Sequence, residues 1–294
     1  MKKIIPFVAA VLFALSAQAQ TVNIHMADGN IVKYFASDVE HVNFTRAIPA
    51  PEGNEAVDLG LPSGTKWATM NVGATSVTDP GLYFAWGETT GYGSDTSDGR
   101  SFDWESYEWG NGTKDVMTKY NAADGKKVLD PEDDAATVNW GSDWRMPTFK
   151  EICELEYTQY NTTDYEWTWY DGTSKKYEGS SVAGWKVESK KSGTAGNHIF
   201  LPAGGQRRNA EIITYVDDTF SEEALNYITQ GSSFGLYWSS QLHKEKYARA
   251  SAMYFDSGIV SSNEDPNHIE GEPWNNFQAY SSCTVGYLIR PVKK

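Results

Sequence analysis

Apolar residues recur along this chain mostly at every second position, the period of a half-buried strand. The first such run starts at Thr21: Val22, Ile24 and Met26 alternate with polar residues, the chain breaks at Asp28-Gly29, and alternation resumes through Ile31 and the aromatics to Phe35. Asp-Gly between two alternating runs predicts a β-hairpin. A turn at Ser37-Asp38 leads into "VEHVNF", which predicts a third strand, so residues 20–45 form a small β module. "RAIPAPEGNEA", 46–56, has two prolines and no periodicity and reads as a linker.

From Val57 the spacing predicts another hairpin. Val57, Leu59 and Leu61 alternate before Pro62-Ser63-Gly64, and Ala68, Met70 and Val72 alternate after it. Only three residues separate Gly60 from Gly64, and Thr65 precedes Lys66, so this is a turn and not a phosphate loop, which needs four residues and then Lys. Two helices follow. One starts at Asp130-Pro131, with Glu132, Asp133 and Asp134 in its first turn, and continues through Ala135, Ala136 and Val138. The other has Thr148 as cap, Glu151 at the capping-box position and Phe149, Ile152, Cys153, Leu155 and Glu156 over about two turns. Later runs, "IFLPAGG", "GLYWSS", "ASAMYFDSG" and "VGYLIRPV", read as strands with turns attached. Two helices and many short strands predict an α+β domain over 57–294.

Ahead of these elements, Lys2 and Lys3 precede an apolar run from Ile4 to Ala14 and the triplet Ala17-Gln18-Ala19. That pattern predicts a signal peptide over 1–19, and therefore an exported protein: periplasmic, secreted or held at the cell surface. No later stretch reaches the roughly twenty apolar residues of a membrane span. A formal net charge of −14 repels phosphate backbones and anionic lipid, which argues against nucleic-acid partners and membrane insertion. The two cysteines, Cys153 and Cys283, are too few for a disulfide scaffold. They either pair across a loop of about 130 residues, which the loop-entropy relation makes worth roughly 4 to 5 kcal/mol, or remain two buried thiols.

"VDLGLPSGTKWATMNVGA", "GLYFAWGET", "DDAATVNWGSDWRMPT", "IFLPAGG", "YWSS" and "IRPV" occur in an order that closely resembles the Fibrobacter succinogenes major paralogous domain, over nearly all of 57–294. The resemblance implies a C-type-lectin-like fold with twisted antiparallel sheets, related to formylglycine-generating enzymes. Those enzymes hold copper with two closely spaced cysteines near the C-terminal end, and only Cys283 stands there. Their chemistry is therefore not carried over. Trp144 and Arg145 in "WRMPTFKE", and Arg290 in the closing strand, are expected to organise the core, with Arg145 satisfied by backbone carbonyls or by Glu151.

Candidate chemistry is sparse. "GSSFG" at 231–235 matches the nucleophile-elbow pattern at Ser233, but a strand-like run follows where the elbow requires a helix. His25, His41, His198, His243 and His268 never approach chelating spacing. "NEDPNHIEGEPWNNF" concentrates Glu264, Asp265, Asn267, Glu272 and Asn275 in a loop, oxygen donors of the type that holds calcium, and otherwise a solvated acidic loop. Calcium is accordingly the one cofactor left open.

Aromatics make the strongest case. "FDWESYEWGNG" and "DYEWTWYDG" set Trp104, Tyr107, Trp109, Trp167, Trp169 and Tyr170 among Gly, Asn, Asp and Glu in segments that read as loops. Indole faces stack on sugar rings while amides and carboxylates take the hydroxyls. The expectation is a non-catalytic binding or adhesion protein for a glycan or a cell-surface partner. The alternatives are an extracellular polysaccharide-acting enzyme, which would need a cleft with paired carboxylates, and a structural module joined through the N-terminal strand edge.

Overall fold

The computed structural model describes residues 21–25, 30–35, 47–214, 233–243, 246–257 and 278–293. The expected signal segment, the turn expected at Asp28-Gly29, the third strand expected after Phe35 and the calcium candidates Glu264, Asp265, Asn267, Glu272 and Asn275 lie outside these residues. The chain divides into two compact units, Met1–Thr45 and Arg46–Lys294.

In the first unit, β1 (Thr21–His25) pairs antiparallel with β2 (Ile31–Phe35), setting Thr21 opposite Phe35 and His25 opposite Ile31. Every residue of β2 is exposed.

The second unit is mixed and strand-rich, built from small antiparallel sheets and two α-helices among the described residues, an α+β arrangement. β3 (Ala56–Asp58) and β4 (Lys66–Ala68) form the hairpin expected around Pro62-Ser63-Gly64, with pairing confined to three residues a side. The turn closes through a Gly64 N–H to Leu61 carbonyl bond of 2.9 Å, with Gly64 at φ +74°. The stretch expected to be a free linker is bonded into this unit. Ile48 N–H donates to Asn139 Oδ1 at 2.9 Å and Met70 N–H to Asn54 Oδ1 at 3.2 Å, so 47–55 is structured chain and not a spacer.

The first expected helix is interrupted. Pro131–Asp133 form a single tight turn, and α1 (Ala135–Trp140) starts afresh because the Asp134 side chain caps Thr137 N–H at 2.9 Å. α2 (Phe149–Tyr157) begins as expected: Thr148 Oγ1 accepts from Glu151 N–H, and a Glu151 side-chain oxygen accepts from Thr148 N–H at 2.9 Å. Glu151 also takes both ends of the Arg145 guanidinium, at 2.6 and 2.7 Å, and the Thr65 hydroxyl at 2.6 Å, which ties α2 to the β3–β4 hairpin. Burial would raise its carboxyl, yet these donors outweigh it and hold the group down to about 2. Thr148→Ala removes the cap and should cost about 1–2 kcal/mol, read as a lower urea midpoint at unchanged slope.

The core joins the remaining strands. β5 (Tyr165–Tyr170), β6 (Gly184–Ser189) and β7 (His198–Pro202) form one sheet in that order, so β5 lies at an edge among the described strands. The segment around Trp167 that reads as a loop is thus a strand. β8 (Gln206–Arg208) pairs with β9 (Glu211–Ile213). A third sheet orders β10 (Phe234–Leu242), β11 (Arg249–Asp256) and β12 (Gln278–Ser282), and α2 packs on its first two strands. Trp86 Nε1 donates to the Ser239 carbonyl and Trp238 Nε1 to the Phe84 carbonyl, a reciprocal pair that bolts 84–86 onto β10.

The C-terminal run is not one ladder. Gly286, Tyr287 and Leu288 bridge Arg207, Phe84 and Tyr237 in turn, and β13 (Val292–Lys293) joins β4. Residues 283–292 are all buried, which is why an apolar "VGYLIRPV" suits this path.

Candidate ligand-binding surface

The two aromatic segments separate in the fold. Tyr107 is buried, with its hydroxyl donating to the Trp86 carbonyl at 2.7 Å, so it is corrected from ligand candidate to core residue. Trp104 sets its edge against Tyr107 at 5.7 Å. Trp109 donates its indole N–H to the Gly87 carbonyl at 2.9 Å and carries Lys119 Nζ 5.0 Å over its ring. Both are half-buried and held by the protein. Two arginines hold the neighbouring chain: Arg100 grips Glu88 and the fully buried Arg207 grips Asp98, each through two bonds of 2.7 to 2.8 Å. The loop is therefore fastened inward, which large side chains in a helix-poor domain make necessary.

β5 presents the second segment differently. Alternation puts Trp167 and Trp169 on one face and Tyr170 on the other. Tyr170 packs 5.3 Å from Tyr177 and 6.2 Å from Phe200, under Lys175 Nζ at 4.8 Å, so it covers the opposite face and leaves the candidate surface. On the first face, Trp169 is directly opposite Trp185 of β6. Trp185 lies 5.3 Å from Trp169 and 5.9 Å from Trp167, ring to ring, and all three are half-buried.

Trp167 Nε1 donates at 2.8 Å to Thr158 Oγ1, in the turn that ends α2. That turn also carries Tyr157 and Tyr160, 51% and 49% exposed, with ring centroids 5.9 Å apart. Beyond them Asn161 Nδ2 donates to Asp164 at 3.0 Å, and on the far side of β5 Asp171 fixes the turn. The Ser174 hydroxyl and the N–H groups of Lys175 and Thr173 hold the Asp171 carboxyl well below the usual range. The result is a cluster of three indoles on β5 and β6, tied through Trp167 to the turn that carries the exposed Tyr157–Tyr160 pair, with the Asn161–Asp164 bond close by in the chain, a surface suited to stacking and hydrogen bonding.

Trp185, Tyr157 and Tyr160 were not legible as candidates. The Tyr-x-x-Tyr spacing at the end of a helix was the available signal, since residues three apart share a helical face; Trp185 had none, because its partner Trp169 is chosen by strand pairing.

Glu156, next to Tyr157, is 1% exposed, and neither carboxyl oxygen has a hydrogen-bond partner. Burial pushes its carboxyl well up and keeps it out of reach of any ligand on the ring surface.

Among the described residues no group of three or more His, Cys, Asp or Glu could hold a metal. Cys153 on α2 and Cys283 after β12 are separate buried thiols, Cys283 beside the Tyr107 hydroxyl, so the pairing is not formed. Ser233 leads straight into β10, a strand. Trp144 sets its edge against Trp140 at 5.3 Å, and Arg290 is fully buried. No helix among the described residues is long and apolar enough to cross a membrane. Comparisons with protein-family models, curated proteins and solved structures find no match to this chain.

Proposed function

We propose that this chain is an exported, non-catalytic binding protein that recognises an uncharged glycan through Trp169, Trp185 and Trp167, with Tyr157 and Tyr160 extending the contact. The main unit is taken as a C-type-lectin-like domain of the major paralogous type, on the order of its motifs. One observation carries the functional reading: the three-indole cluster on β5 and β6, tied through Trp167 to the end of α2. Sugar rings offer C–H faces to such indoles and hydroxyls to amides and acids. The net charge of −14 favours a neutral ligand over a phosphorylated or sulfated one.

The test is retention of the mature chain, 20–294, on arrayed cellohexaose, xylohexaose, mannohexaose and chitohexaose, with and without calcium, followed by mass spectrometry of the retained sugar. Binding of at least one, with the sugar intact, is expected. Trp169→Ala should weaken it more than tenfold, because a stacking ring is lost. Cleaved sugar would replace this reading with an enzyme, and no retention on any of the four would overturn it in favour of a protein partner.

A further inference from the structure

The three clustered indoles differ in one respect. Trp167 Nε1 is committed to Thr158 Oγ1 at 2.8 Å, and Trp185 Nε1 to the Asp256 carbonyl at 2.9 Å. Both bonds link neighbouring elements, the first β5 to the end of α2 and the second β6 to β11. Trp169 makes no such bond. Its ring touches Trp185, but among the described residues its Nε1 has no hydrogen-bond partner and is not sealed from solvent. An indole N–H left without a partner inside a protein costs free energy, so a half-buried one open to solvent is satisfied by water and ready to exchange that water for another acceptor. Its place is set rigidly: Trp169 is paired in register with Trp185, one residue before a turn that Asp171 locks with bonds to Thr173, Ser174 and Lys175.

We infer that Trp169 is the residue that reads the ligand's polar groups: its indole N–H donates to a hydroxyl or acetamido oxygen of the bound sugar, while Trp167 and Trp185 supply ring surface alone. The inference deepens the glycan reading and rests on it. It names the ligand as one that presents an uncharged oxygen acceptor at the edge of a stacked ring. An apolar chain would leave the donor unmatched, which is the discrimination a buried polar group provides.

The decisive variant is Trp169→Phe, which keeps a ring and deletes the donor. In the free protein, the Trp169 indole N–H cross-peak, assigned by its loss in that variant, should exchange with solvent faster than those of Trp167 and Trp185. On titration of the four hexasaccharides it should shift downfield with any that binds. Trp169→Phe should bind that sugar about three- to tenfold more weakly than the parent, one neutral hydrogen bond, and Trp169→Ala more weakly still. Equal affinity of Trp169→Phe and parent, or an indole N–H as protected as the other two, would overturn the inference and leave glycan binding standing. Failure of the parent to bind any of the four sugars would overturn the glycan reading and this inference together.

Discussion

Arg290→Met is expected to destabilise the protein by about 3–5 kcal/mol, the largest loss from any single side chain considered. Arg290 is fully buried and has no carboxylate partner among its bonds. Its Nε donates to Asn71 Oδ1 at 2.6 Å, Nη1 to the Ala68 carbonyl at 2.8 Å and Nη2 to the Phe200 carbonyl at 2.7 Å. One planar fork therefore holds the C-terminal run to β4, to the segment after it and to β7. Burial lowers the guanidinium to about 10, which still leaves it charged at neutral pH. Methionine fills the volume but strands three acceptors in the core, each costing on the order of 1–3 kcal/mol. Lysine brings its donors on one point and cannot reproduce the fork, so Arg290→Lys should also lose stability. Urea unfolding followed by tryptophan fluorescence checks both, and a midpoint within error of the parent for Arg290→Met would show that the fork is dispensable.

Glu156→Leu should act in the opposite direction, raising stability by about 1–4 kcal/mol at pH 7. Burial raises this carboxyl in the native protein, whereas the unfolded chain ionises near the ordinary value of about 4.3. The folded state then holds one more proton, so this group's contribution is complete below about pH 4 and falls as pH rises towards the folded value. While the group stays protonated in the fold, each pH unit costs about 1.4 kcal/mol. The advantage of Glu156→Leu should accordingly grow from pH 5 to pH 7. Glu156→Gln should abolish this pH dependence with little gain at pH 5, because it keeps an unpartnered polar group in the core. Thermal unfolding of the three proteins at pH 5, 6 and 7 provides the measurement; a leucine variant less stable than the parent at every pH would mean that the acid is needed where it is.

These two residues show how far local patterns reach. Arg290 lies in a run whose alternation reads as a strand and whose resemblance points to a core role, but its three acceptors are 219, 222 and 90 positions away. Glu156 sits on α2 three residues after Cys153 and seven after Phe149, on the face that helix periodicity turns inward, but only the packing of α2 on β10 and β11 takes away its water without supplying a hydrogen-bond partner. The same division runs through the ring surface. "EWTW" showed two tryptophans two apart, hence on one face of a strand if it was a strand. Whether that face met solvent depended on which strand paired beside it.

The sequence by itself determined the local events: the turn at Gly64, the cap and capping box at Thr148 and Glu151, the Asp134 carboxylate available to start α1, and the two alternating runs of the N-terminal hairpin. Each depends on residues within a few positions, where chain connectivity supplies the proximity. Tertiary structure alone decided which aromatics were core and which surface, that Tyr107 turned inward while Trp185 joined Trp169, that 47–55 packed on the unit it precedes, and that Glu156 lost its water. Those outcomes depend on pairings between segments tens to hundreds of residues apart, and a side chain's own chemistry is the same on either face of a strand until the pairing chooses one.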